Sequence, residues 1–144
     1  MKTFTKRTQR RLTLGAIFTI TVLVLAGCGG GGASRQEVTR EFFSHINNSH
    51  DAESIRGLLD SSAASANSAD TTFWQTEFGI PNYTVNSTTE SGSDVTAQVT
   101  NGSSVPETYR FEFTQEGSDG LFSSASYKIR RIVDLATPGS PIFQ

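Results

Sequence analysis

The chain has 144 residues, with 12 Lys and Arg against 14 Asp and Glu. Its length suits one domain, and its single cysteine excludes a disulfide within the chain. All 14 acidic residues lie beyond Cys28, accompanied there by only seven basic ones, a net charge of −7 for that part. A domain this acidic has no electrostatic footprint for nucleic acid.

The basic residues Lys2, Lys6, Arg7, Arg10 and Arg11 precede Leu12–Ala26, a 15-residue apolar stretch broken by Thr13, Gly15, Thr19 and Thr21. That stretch is shorter than the roughly 20 residues a spanning helix needs and has the layout of a secretory signal. It runs into Leu25-Ala26-Gly27-Cys28, followed by Gly29 to Gly32. These four residues resemble the lipobox of bacterial lipoproteins. The resemblance implies a signal peptide over 1–27, cleavage before Cys28, and lipidation of its thiol by palmitate-type chains. Two or more acyl chains hold a protein stably on a membrane, where one does so only marginally. The implied location is the bacterial cell envelope. Gly29 stands where an aspartate would resemble an inner-membrane retention signal, so the outer membrane is the expected destination in a host that has one. Residues 28–33 then form a flexible tether, reaching under about 20 Å when extended. The expected mature chain is Cys28–Gln144, of 117 residues.

Ser34 followed by Glu37 is a capping box. Val38, Phe42 and Ile46, widened by Phe43, form the apolar stripe of a first helix. Asn47-Asn48-Ser49-His50 ends it. Asp51 caps a second helix through Leu59, with Ile55, Leu58 and Leu59 inward. Ser61 to Ala69 is low in complexity. Asp70 caps a third helix carrying Phe73, Trp74 and Phe78, stopped by Gly79 and Pro81. Beyond Pro81 the apolar period falls from about four to two. Tyr83 and Val85 mark one strand. After the turn Glu90-Ser91-Gly92-Ser93, Val95, Ala97 and Val99 mark the next. Tyr109, Phe111 and Phe113 mark a third, and Glu116 to Gly120 is a hairpin loop. Tyr127 and Ile129 open a fourth strand through Leu135. Ile132 breaks its parity, which predicts a bulge near Arg130-Arg131. Residues 136–144, with two prolines, read as an irregular tail.

Helices followed by hairpin-linked strands give an α+β fold, with helices covering one face of a four-stranded antiparallel sheet. The expected domain spans residues 34–135. Arg110, Glu112, Lys128 and Arg130 fall on the opposite, hydrated face.

Thr39-Arg40-Glu41-Phe42-Phe43-Ser44-His45-Ile46, running into His50-Asp51-Ala52-Glu53-Ser54-Ile55-Arg56-Gly57-Leu58-Leu59, is similar to the first two helices of the nuclear transport factor 2-like superfamily. Asp119-Gly120-Leu121-Phe122 before Tyr127-Lys128-Ile129-Arg130-Arg131-Ile132 resembles its glycine turn and last strand, with Phe122 where tryptophan is usual. The resemblance implies a cone in which a curved sheet and the first helix enclose a cavity. Phe42, Phe43, Ile46, Trp74, Phe78, Tyr83, Phe111, Phe113 and Tyr127 would line that cavity, unless they simply fill the core.

No catalytic set is expected. Asp60, Tyr83, Tyr109 and Asp134 lie in no recognisable motif. His45 and His50 are five apart, off a common helical face, with no third ligand near. No cofactor is indicated: the glycine run has no preceding strand, as a phosphate loop would. The sequons at Asn82, Asn86 and Asn101 read as chance matches. The leading expectation is a lipid-anchored module that binds a partner protein or a small apolar ligand. A small isomerase- or dehydratase-type enzyme and a structural or assembly subunit remain the alternatives.

Overall fold

The computed structural model describes residues 32–62, 70–79, 82–102, 105–117 and 126–144. The lipobox, residues 63–69, Pro81 and the glycine turn at 119–122 lie outside them. Three helices precede five strands: α1 Arg35–Asn47, α2 Ala52–Leu58, α3 Thr71–Phe78, β1 Thr84–Ser91, β2 Asp94–Thr100, β3 Glu107–Glu116, β4 Ser126–Asp134 and β5 Pro141–Phe143. The strands form one open antiparallel sheet in chain order. The fold is α+β as expected, with five strands rather than four.

Each helix starts where a side chain satisfies free backbone donors. At α1 the Glu37 amide donates to Ser34 Oγ at 3.3 Å, and the Ser34 amide donates back to the Glu37 carboxylate at 2.7 Å. Asp51 accepts from the Ser54 amide at 3.2 Å, and Asp70 from the Thr72 amide at 2.8 Å. Both Glu37 and Asp51 are held below the ordinary carboxylate range, by their hydrogen bonds with Ser34 and Ser54 respectively. α3 ends at Gly79, whose φ of 57° is cheap only for glycine.

The α1–α2 turn falls at Asn48 to His50, where the sequence places the end of the first helix. Ser49 and His50 both adopt left-handed φ, 57° and 56°, letting the His50 and Asp51 amides donate to Ile46 and His45 carbonyls. This tight turn folds His50 under the helices, where it is 2% exposed, while His45 stays near the surface beside Glu41 at 3.7 Å.

The sheet alternates as read. Val95, Ala97, Val99, Tyr109, Phe111, Phe113, Ile129 and Ile132 are all buried. The predicted bulge is present: Glu112 faces Arg131 while Phe113 faces Ile129, leaving Arg130 as the extra residue. It restores inward parity to Ile132. On the other face Glu112 lies within 3.5 Å of Arg110, Arg130 and Arg131.

The fifth strand lies in the tail that reads as irregular. Ile132 faces Phe143 and Val133 faces Pro141, with a second register shift between them. Three residues are too few for a period to show. Proline, which lacks an N–H, is tolerated here because it opens an edge strand. Phe143 is 3% exposed, its ring 6.3 Å from that of Trp74. The other half of the same β4 edge is covered by a parallel bridge from Leu59 to Ile129, with the Asp60 amide donating to the Ile129 carbonyl at 2.8 Å.

The core is a knot of rings. Phe42 of α1 meets Phe43, Trp74, Phe78 and Phe111 edge to face, at centroid separations of 5.4 to 5.5 Å. Edge-to-face pairs contribute beyond their buried area. Truncating Phe42 or Phe111 to alanine is expected to destabilise the fold by about 3–5 kcal/mol. Urea unfolding checks this; a loss under about 1 kcal/mol at either position would contradict the packing.

Candidate functional site

An open cleft of about 870 Å³ lies at one end of the sheet. Its walls are the end of α3 (Thr76, Glu77, Phe78, Gly79), Tyr83, Asn101, the segment Val105–Pro106, the start of β3 (Glu107 to Tyr109) and Asp134 to Ala136.

The register explains its chemistry. Val95 faces Phe111, which faces Ile132; one step along, Ala97 faces Tyr109, which faces Asp134; one step further, Val99 faces Glu107. Residues two apart share a face. Glu107 and Asp134 therefore belong to the same face as the core, beyond the point where rings cover it.

Tyr83 is fixed at this end by Asn47, the last residue of α1. The Asn47 side-chain amide donates to the Tyr83 carbonyl at 2.7 Å and accepts from the Tyr83 amide at 2.6 Å. The Tyr83 hydroxyl donates to the Phe78 carbonyl at 2.6 Å, closing a free carbonyl at the end of α3. Glu107 takes Asn101 Nδ2 on one oxygen and the Tyr109 hydroxyl on the other, each at 2.6 Å. Asp134 accepts from the Ala136 amide at 2.9 Å and from the Thr137 hydroxyl at 3.3 Å.

Burial pushes both phenols up from their ordinary value. For Tyr83 the second cause is the Glu107 charge. For Tyr109, raised far more, it is the hydrogen bond to Glu107, with the Asp134 charge adding to it.

Val105 and Leu135 stand at the cleft rim, and are the exposed large hydrophobics of the described residues, at 69% and 38%. The lining carries three carboxylates, Glu77, Glu107 and Asp134. All seven cations beyond Cys28 lie in the described residues, and none of them lines the cleft.

Of the nine residues suggested as a cavity lining, Phe78 and Tyr83 reach this cleft. Phe42, Phe43, Ile46, Trp74 and Phe111 are at most 1% exposed and pack within the core. Phe113 is 7% exposed and packs in the core. Tyr127 is half-buried, with the Arg35 guanidinium 5.0 Å over its ring. The structure brings Tyr83, Tyr109 and Asp134 together. Asp60 is elsewhere, accepting from Ser62 and the Thr114 hydroxyl. Sequence reasoning missed Glu107, Asn101, Glu77 and the two rim residues. For Glu107 a signal existed, since extending the alternation of Tyr109, Phe111 and Phe113 back one step reaches it.

Among the described residues no group of three or more His, Cys, Asp or Glu could hold a metal ion. Nor is any helix there long and apolar enough to cross a membrane. Comparison with protein-family models, curated proteins and solved structures finds no match.

The buried phenols give a pH prediction. Both are raised in the folded state above the unfolded value near 10.0, so the fold keeps their protons more tightly than the unfolded chain does. Their contribution is fully present below about pH 10 and is lost as pH rises further. Urea midpoints should fall from about pH 10 upward, and less steeply in Tyr109→Phe. Equal slopes for the two proteins would contradict this.

Proposed function

We propose that the chain is a lipid-anchored envelope protein whose domain binds a partner through the cleft at the end of the sheet, without chemistry of its own. The observation that carries this reading is the coincidence of the two exposed large hydrophobics with the rim of the 870 Å³ cleft. Exposed apolar surface bordered by polar groups marks interaction sites.

The anchor is assigned from the resemblance of Leu25 to Cys28 to a lipobox. The chain direction then orients the molecule. Arg35, at the start of α1, lies 3.7 Å from Glu90 near the β1–β2 turn, whereas Asn47, at its end, holds Tyr83 at the cleft. The 13 residues of α1 separate the two ends by about 20 Å. An anchor at Cys28 attaches the domain by the first end, and the cleft lies at the other.

The polar groups favour binding over catalysis. Both oxygens of Glu107 are engaged by Asn101 and Tyr109, and those of Asp134 hold its own following turn. Each oxygen has one of its two acceptor positions filled, so these bonds fix the carboxylates in place and leave room for a partner's donor, an arrangement that suits recognition. The nuclear transport factor 2-like assignment belongs to this proposal too. The α1–α2 pair, the antiparallel sheet and the helices on one face agree with that resemblance. The occupied centre makes the binding site the end of the sheet rather than an internal cavity.

Two measurements test the reading. Cys28→Ser should abolish incorporation of labelled acyl chains; normal labelling would remove the anchor. Native mass spectrometry of the full chain, extracted from its own envelope in mild detergent, should show mass retained on the wild type. The Val105→Ser/Leu135→Ser variant should lose that mass. Equal retention by this variant would exclude the cleft.

A further inference from the structure

We infer that the cleft receives a basic side chain, lysine or arginine, carried on an apolar extended segment of a partner protein. This rests on the cleft being the binding site, as proposed above.

Two independent features meet there. The first is charge. Glu77, Glu107 and Asp134 line the cleft, and the seven cations of the same part of the chain all lie elsewhere. Arg110, Arg130 and Arg131 are gathered around Glu112 on the opposite sheet face. Arg35 is beside Glu90 at the far end of α1. Carboxylates of one sign in a recess with apolar walls focus the field and raise the local concentration of cations. Burial raises Tyr109 first, then its hydrogen bond to Glu107, and the charges of Glu107 and Asp134 add to the same direction.

The second feature is the rim. A small organic cation could sit on the carboxylates yet leave Val105 and Leu135 in water. A segment with apolar residues two positions before and after a lysine or arginine reaches the rim on either side of it, because residues two apart in an extended strand point to the same side about 7 Å apart. Position agrees with this occupant. The cleft lies at the end of the domain opposite the attachment of the tether, within reach of partners in the aqueous compartment. The Tyr83 hydroxyl is spent on Phe78 and the Tyr109 hydroxyl on Glu107, so the walls offer acceptors and aromatic surface rather than donors for an anion.

The test uses the full chain in non-ionic detergent and a dye-labelled leucine–serine–arginine–serine–leucine amide, read by fluorescence anisotropy. Glutamine and glutamate peptides replace the arginine in parallel. The arginine peptide should bind and the glutamate peptide should not. Glu77→Gln with Glu107→Gln should weaken binding about tenfold. Glu77→Gln alone, at an exposed helix position, should weaken it without affecting folding. Raising salt to about 0.5 M should weaken it further, since screening then acts over only a few ångströms.

If the glutamine peptide binds equally and is lost only in Val105→Ser/Leu135→Ser, the charge inference fails while the cleft stands. If the arginine peptide binds but neither set of variants affects it, both readings fail. Free arginine amide binding as tightly as the peptide would overturn the segment and leave a small cation. No binding of the arginine peptide at millimolar concentration would overturn the inference outright.

Discussion

Phe42 stands on α1 and is in edge-to-face contact with rings from α3 and β3 at once. The consequence is greatest for α3. This eight-residue helix is well below the length at which isolated helices persist in water. Trp74 and Phe78 secure it to the sheet through Phe42, Phe143 and Tyr109. The wall that α3 gives to the cleft is therefore positioned by ring packing, with Phe78 belonging to both the knot and the cleft. A change in the core is transmitted to the site through Phe78 and through Tyr83 and Tyr109, which also belong to both.

The cleft itself follows from an unequal match between helix and sheet. α1 ends at Asn47, yet the inner sheet face continues through Tyr109 to Glu107 and Asp134. Where the helix stops, the inward positions change from phenylalanine, valine and isoleucine to tyrosine and then carboxylate. The tyrosines occupy the boundary because their rings join the core while their hydroxyls reach polar partners. Asn47 makes the same transition for the backbone. Its amide supplies one donor and one acceptor to Tyr83, replacing the pairing a longer strand would have provided.

What could be read in advance was what depends on near neighbours. The three helix caps are decided within three residues, and the alternation of Val95 to Val99 and of Tyr109 to Phe113 within five. The displaced parity of Ile132 was enough to locate the bulge now seen at Arg130. What escaped depends on pairing between distant residues. β5 exists because Phe143 fills a site beside Trp74 and Val133 offers an edge, facts absent from the string Pro141-Ile142-Phe143. His50 is buried because two left-handed residues turn the chain under the helices, and neither is a glycine that would have marked the spot. The cleft needed both sheet register and helix length; of the two readings left open for the aromatic side chains, lining a cavity or filling the core, most of them fill the core.

Charge separation gives the molecule a polarity that its composition conceals. Three arginines converge on Glu112 across the outer sheet face, where each pair is partly exposed and stabilises little on its own. Their larger effect is to withdraw cations from the inner face, so that the negative charge of the cleft is left without internal compensation. A cleft whose carboxylates were paired with these arginines would have spent its field inside the protein. Kept apart, the carboxylates retain it in the cleft, and the hydrogen bonds from Tyr109 and Asn101 fix Glu107 in place. Such preorganisation lowers the ordering cost of binding.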